Sequence, residues 1–179
     1  NATDVGDLST GRRYQSGQSS QSHGYSSGGY QAPPVNISNV IDKFPFAVDT
    51  NATDINDLIQ SRYGSSGQSS SVNGYVSGGD EPPNPTVSND IDRFPFSSDN
   101  SVVDVGDITS SRREGAGQSS KTKGYISGGT GPSPNVNIID NFPFASDTNA
   151  GDVGDLTLGR SGASGQSSEI SGYTGGGLG

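Results

Sequence analysis

Oxygen donors recur in this sequence at a spacing that suits a hard cation. Asp49, Asn51, Thr53 and Asp57 occupy positions 1, 3, 5 and 9 of a calcium-loop-like register, and Asp147, Asn149 and Asp155 repeat three of the four. Calcium takes about six to eight oxygens and favours a bidentate carboxylate near position 12. Here that position is Gln60, and the intervening copy of the stretch carries Ser101 and Val103 at its second and third donor positions. Two readings stand. Either calcium binds at Asp49, Asn51, Asp57, Asp147, Asn149 and Asp155, or the same side chains build Asx turns and satisfy backbone amides.

A second chemistry is modification. Asn1-Ala2-Thr3, Asn36-Ile37-Ser38 and Asn51-Ala52-Thr53 fit the acceptor pattern for N-linked sugar, so Asn1, Asn36 and Asn51 are the glycosylation candidates. Sugar and metal at Asn51 exclude each other. Catalysis has no visible constellation: the only histidine, His23, is replaced at its counterparts by Asn73, Lys123 and Ser171. The serines of the Gly-Gln-Ser-Ser tetrads lack a positioned base. The sequence therefore predicts no enzyme, no catalytic residue and no cofactor other than calcium.

These residues sit in a phrase that repeats. Val40-Ile41-Asp42-Lys43-Phe44-Pro45-Phe46 returns as Asp90-Ile91-Asp92-Arg93-Phe94-Pro95-Phe96 and as Ile138-Ile139-Asp140-Asn141-Phe142-Pro143-Phe144. The acidic phrase starts at Asp4, Asp54, Asp104 and Asp152, and Gly-Gln-Ser-Ser starts at Gly17, Gly67, Gly117 and Gly165, with spacings of 50, 50 and 48 in both series. A third marker places Gly-Tyr ahead of paired glycines, at Tyr25, Tyr75, Tyr125 and Tyr173. The unit is about 49 residues long, dividing the chain into 1–50, 51–98, 99–148 and a partial 149–179.

Composition sets what such units can build. Only 27% of the 179 residues are hydrophobic and 28 are glycine, which argues against one thick core and for many thin, repeated ones. A formal charge of −9 with ten scattered basic residues argues against a nucleic-acid partner. The chain has no cysteine, and no apolar run approaches the ~18 residues of a membrane span, so neither a disulfide framework nor membrane insertion is expected. The absence of methionine, including at position 1, reads as a processed product, a fragment or part of a longer array.

No window shows the 3.6-residue apolar period of a helix, and Gly, Pro, Asn and Ser interrupt every run. The fold class predicted is all-β, with four short antiparallel strands per unit. In the second copy the pieces are 67–71, 74–77, 87–96 and 102–108, with a proline-bearing loop over 80–85. Ile91 falls on one face of the third piece, with Phe94 and Phe96 on the other. The proline between the phenylalanines reads as a brake on edge pairing. The small first piece suits a position where backbones approach closely. A four-stranded unit of this size cannot bury both faces alone, so copies must stack, radially as propeller blades or in line as a fibre.

The order of a small polar strand, a Gly-Tyr-x-Ser-Gly-Gly strand, a variable loop, a branched and aromatic strand and a closing strand resembles the kelch type of β-propeller repeat. In that family a basic residue precedes the first strand, matched here by Arg12, Arg62, Arg112 and Arg160. An aromatic also precedes paired glycines, matched by the four tyrosines. The family's tryptophan opening the fourth strand is missing, since the chain has no Trp. The wording of the repeats is also similar to kelch-like proteins of aquatic bacteriophages and environmental microbes. The resemblance implies a structural or adhesive part of an extracellular fibre or phage appendage, at the cell exterior or virion surface. That part would self-associate into a fibre or ring, with glycans as further partners. The alternative is a soluble carbohydrate- or protein-binding propeller. Four copies of the first, second and fourth pieces accompany three of the third.

Overall fold

The structure, a computed structural model, describes residues 2–31, 36–81, 86–99, 101–132 and 134–179. It is all-β, with fourteen strands and no helix among the described residues. The first sheet comprises β1 (Ser16–Ser19), β2 (His23–Gln31), β3 (Asn36–Pro45) and β4 (Thr53–Asp57). The second comprises β5 (Ser66–Ser69), β6 (Asn73–Glu81), β7 (Thr86–Pro95) and β8 (Val103–Asp107), and the third β9 (Ala116–Ser119), β10 (Lys123–Ser127), β11 (Ile138–Pro143) and β12 (Gly151–Asp155). The fourth has two strands, β13 (Ser161–Ser167) and β14 (Gly172–Leu178). Each complete sheet is an antiparallel meander in chain order, so every strand pairs with its sequence neighbour. The sequence divisions 50/51, 98/99 and 148/149 fall in the loops between third and fourth strands.

The second strand is longer than the sequence implies. It was expected to stop at the paired glycines, yet β6 continues through Gly78 and Gly79 to Glu81, with a register shift between Ser77 and Gly79. Both glycines have left-handed backbones, φ +63° and +109°, which a residue with a Cβ reaches only under strain. The expected loop over 80–85 therefore begins later, and 82–85, with its three prolines, lies outside the described residues. The third strand is interior, flanked by β6 and β8, so its proline guards no edge. Pro95 is the last strand residue, where the missing N–H costs no ladder bond. Residues 4–8, expected as a fourth-type strand, form none, because no third-type strand lies beside them.

Sheets stack face to face, and the second sheet is buried on both sides. On β6 and β7, alternation sends Tyr75 and Ile91 toward the third sheet and Val76 and Phe94 toward the first. One core thus contains Tyr25, Ile41 and Leu58 of the first unit with Val76 and Phe94 of the second. Its copy contains Tyr75, Ile91, Val105 and Ile108 with Ile126 and Phe142 of the third. The hydrophobic core lies between units, not within them. This is how so small an apolar fraction suffices: a single layer of side chains serves two sheets.

Candidate functional site

The junction between successive units is the most developed site in the molecule, and its inner edge is built by Gly-Gln-Ser. A Cβ placed on Gly67 would lie 2.2 Å from the Gly17 carbonyl oxygen, and Gly117 and Gly165 meet the preceding glycine's carbonyl at the same distance. Only glycine permits that approach. Beside it, Gln18 Nε2 donates to the Tyr75 carbonyl at 3.1 Å, Gln68 to Tyr125 at 3.2 Å and Gln118 to Tyr173 at 3.2 Å. The Ser19, Ser69 and Ser119 amides each donate to the serine hydroxyl one unit on, all at 2.9 Å. The first serine of each tetrad is a rung of this ladder, and the second, at Ser20, Ser70, Ser120 and Ser168, accepts from the amide three residues on in the turn that follows.

Farther out, aromatics carry the junction. Tyr25 stacks on Phe96 with centroids 4.7 Å apart, and Tyr75 on Phe144 at 4.8 Å. The glycine before each tyrosine is a shelf for a phenylalanine on the paired strand: a Cβ on Gly24, Gly74 or Gly124 would lie 2.3–2.4 Å from the Phe44, Phe94 or Phe142 ring. Tyr25 and Tyr75 are thus buried between sheets.

Buried ion pairs close the junction, and the sequence reading did not foresee them. Arg12 meets Asp42 at 2.9 Å and Arg112 meets Asp140 at 2.8 Å, all four side chains withdrawn from solvent. Leaving either charge alone there would be costly, so the pair acts as one unit. Asp140 also accepts from the Thr109 amide and hydroxyl. The signal was available, since every Ile-Asp-x-Phe phrase has an aspartate at one offset and every linker an arginine.

The second unit departs from this pattern. Arg62 Nη2 lies 3.0 Å from Glu81, 3.4 Å from Asp92 and 3.7 Å from Asp90. Burial pushes the Asp92 carboxyl up to about 6, Arg62 opposing and Asp90 reinforcing the shift. Nearby, Arg113 pairs with Asp80, which also raises the Tyr63 hydroxyl. The counterparts of Glu81 and Asp90 are Gln31 and Val40 in the first unit and Gly131 and Ile138 in the third.

The calcium candidates are spread along the outer side. Asn51 Oδ1 accepts from the Asp7 amide at 3.0 Å, and Asn149 Oδ1 from the Asp107 amide at 3.2 Å, each tying a loop to the preceding unit. Asp147 pairs with Arg93 of the preceding unit, while Asp49, Asp57 and Asp155 are exposed. Asp57 and Asp155 lie in fourth strands. Among the described residues, no three His, Cys, Asp or Glu side chains gather as a metal-holding group. Asx geometry does occur, at other aspartates: Asp4, Asp104 and Asp152 each accept from a glycine amide two residues on.

Of the glycosylation candidates, Asn1 lies outside the described residues. Asn36 is exposed at the start of β3, its Nδ2 donating to Gln31 Oε1 at 3.3 Å. Asn51 is exposed with its oxygen engaged as described. His23 accepts or donates at Nδ1 to Ser22 Oγ, 2.9 Å away, and joins no shared site.

This arrangement of ladders, stacked rings and buried ion pairs joins copies of one unit. No protein-family model matches the chain, and no curated protein matches it.

Proposed function

We propose that this chain is a structural or adhesive component of an extracellular fibre or phage appendage, built by stacking kelch-like repeat units and carrying no reaction of its own. The observation that carries the reading is that the second unit buries both sheet faces against copies of itself. Two-sided units propagate, and repetition supplies reach and avidity without a strong single site. Negative-stain images of the purified 179-residue protein test this. Filaments that lengthen with concentration are expected; discrete closed rings would overturn it.

The second reading, a propeller binding carbohydrate or protein, draws on a groove of about 880 Å³ along the inner strands. Gly17, Gln18, Ser69, Ser119 and Ser167 contribute to it from all four units. Its hydroxyls and amides suit a neutral polar chain, and saturable binding of a soluble glycan by discrete rings would favour it.

A further inference from the structure

We infer that the second unit carries an acid-closed clamp: Arg62 is shared between Asp92 on β7 and Glu81 at the end of β6, and when Asp92 takes a proton from solvent the arginine passes to Glu81 and anchors the end of β6 more firmly. The device operates within one chain and goes beyond the stacking reading, which the images test separately.

The aspartate of the Ile-Asp-x-Phe phrase is held differently here than in its two counterparts. Asp42 accepts from the Ser9 amide at 3.2 Å and Asp140 from the Thr109 amide and hydroxyl, and each meets its arginine at 2.8–2.9 Å. In the second unit Ile59 takes the place of Ser9 and Thr109 and has no hydroxyl to offer. Asp92 is 1% exposed, neither of its oxygens has a hydrogen-bond partner among the described residues, and Arg62 Nη2 stands off at 3.4 Å. The Ile59 amide is near enough to oppose the loss of charge, but not at hydrogen-bond geometry. The charged groups that face Asp92 are Arg62 from the linker, Asp90 from its own strand, Asp104 opposite it on β8 and Glu81 beyond Arg62. One cation thus serves four carboxylates, and burial, the largest cause, pushes the Asp92 carboxyl up to about 6.

Glu81 competes for the same guanidinium. Its carboxylate lies 3.0 Å from Arg62 Nη2, with the side chain 20% exposed. It is the last residue of β6 and pairs with Thr86, the first of β7. In the first unit the same pair is Gln31 with Asn36, joined by an amide–amide bond at 3.3 Å that carries no charge. The second unit instead holds this place through an arginine that Asp92 also claims. Just before Glu81 the strand makes its bonds to the third unit's linker, the Gly79 amide donating to the Arg112 carbonyl at 3.0 Å and Asp80 pairing with Arg113. With Asp92 ionised, Arg62 divides between carboxylates. With Asp92 neutral it belongs to Glu81, and the end of β6 is held more firmly together with its contacts to the third unit.

Amide hydrogen exchange of the 179-residue protein at pH 5 and pH 7, corrected for intrinsic rates, tests the clamp. Gly79, Asp80 and Glu81 should be about two- to fivefold better protected at pH 5, the range of an ion pair with a partly solvated acid, while Gly29, Tyr30 and Gln31 of the first unit should not change. Asp92→Asn should hold the higher protection at both pH values. Glu81→Gln, at a partly solvated side chain, should abolish the difference with the fold intact. No difference at residues 79–81 would overturn the proposal, as would an equal change in the first unit or a pH effect that persists in either variant. Should Asp92→Asn fail to fold, Glu81→Gln decides alone.

Discussion

The inner and outer parts of each junction hold units together by different physics. At the inner edge the contact is backbone on backbone at glycine, with directional bonds from Gln18, Gln68 and Gln118, and almost nothing apolar is buried. Farther out, Tyr, Phe, Ile and Leu interdigitate around withdrawn arginines. Hydrogen bonds exchange protein for water partners and return modest net stability, whereas burial of large side chains returns more. The inner edge therefore fixes spacing and register, and the outer body supplies most of the cohesion.

Four substitutions probe these junctions. Phe94→Ala empties the outer core at a fully buried ring and should cost about 3–5 kcal/mol in denaturant unfolding. A loss below about 1 kcal/mol would mean that the outer body is not the source of cohesion.

The next effect is a pH dependence centred on Asp92. Asp92 has a folded-state value near 6, raised from 3.8, so the folded protein holds the proton more tightly than the unfolded chain. The stability linked to Asp92 is fully present below about pH 4 and is lost as pH rises through 6, a swing of at most about 3 kcal/mol. Burial sets most of the swing, with Arg62 and the Ile59 amide opposing it and Asp90 and Asp104 adding to it. Asp92→Asn should flatten unfolding midpoints between pH 4 and 6; an undiminished slope would assign the titration to another group.

The inner edge is tested by one motif position with opposite outcomes. Gly67→Ala drives a methyl against the Gly17 carbonyl and should cost about 1–3 kcal/mol as overpacking. Gly17→Ala, which meets nothing within 4 Å, should stay within about 0.5 kcal/mol of the parent. Equal effects would show that glycine is tolerated at the inner edge and not required there.

Much of this architecture is legible in the residues. The tetrads and Gly-Tyr pairs mark the first and second strands, and alternation around Ile91 and Phe94 foretells which face each takes. Small residues at Gly67 signal the close approach found there. The overrun of β6 past its glycines was not legible, because left-handed glycines usually end a strand and only the linker beyond explains their continuation. The Arg–Asp pairs are not legible because their members are separated by two strands and a loop, and no local spacing rule joins them. The acidic stretch attracted a metal reading because cation loops and loop-anchoring turns use the same Asp and Asn.

The paired glycines carry one more consequence. The Gly29, Gly79 and Gly129 amides donate to the carbonyls of Arg62, Arg112 and Arg160, each in the linker entering the following sheet. The second strand of one unit is thus completed by chain that has yet to emerge when that unit is made. During synthesis each sheet waits, partly finished, for its successor's first residues, and the array matures as a wave travelling one unit behind the growing end.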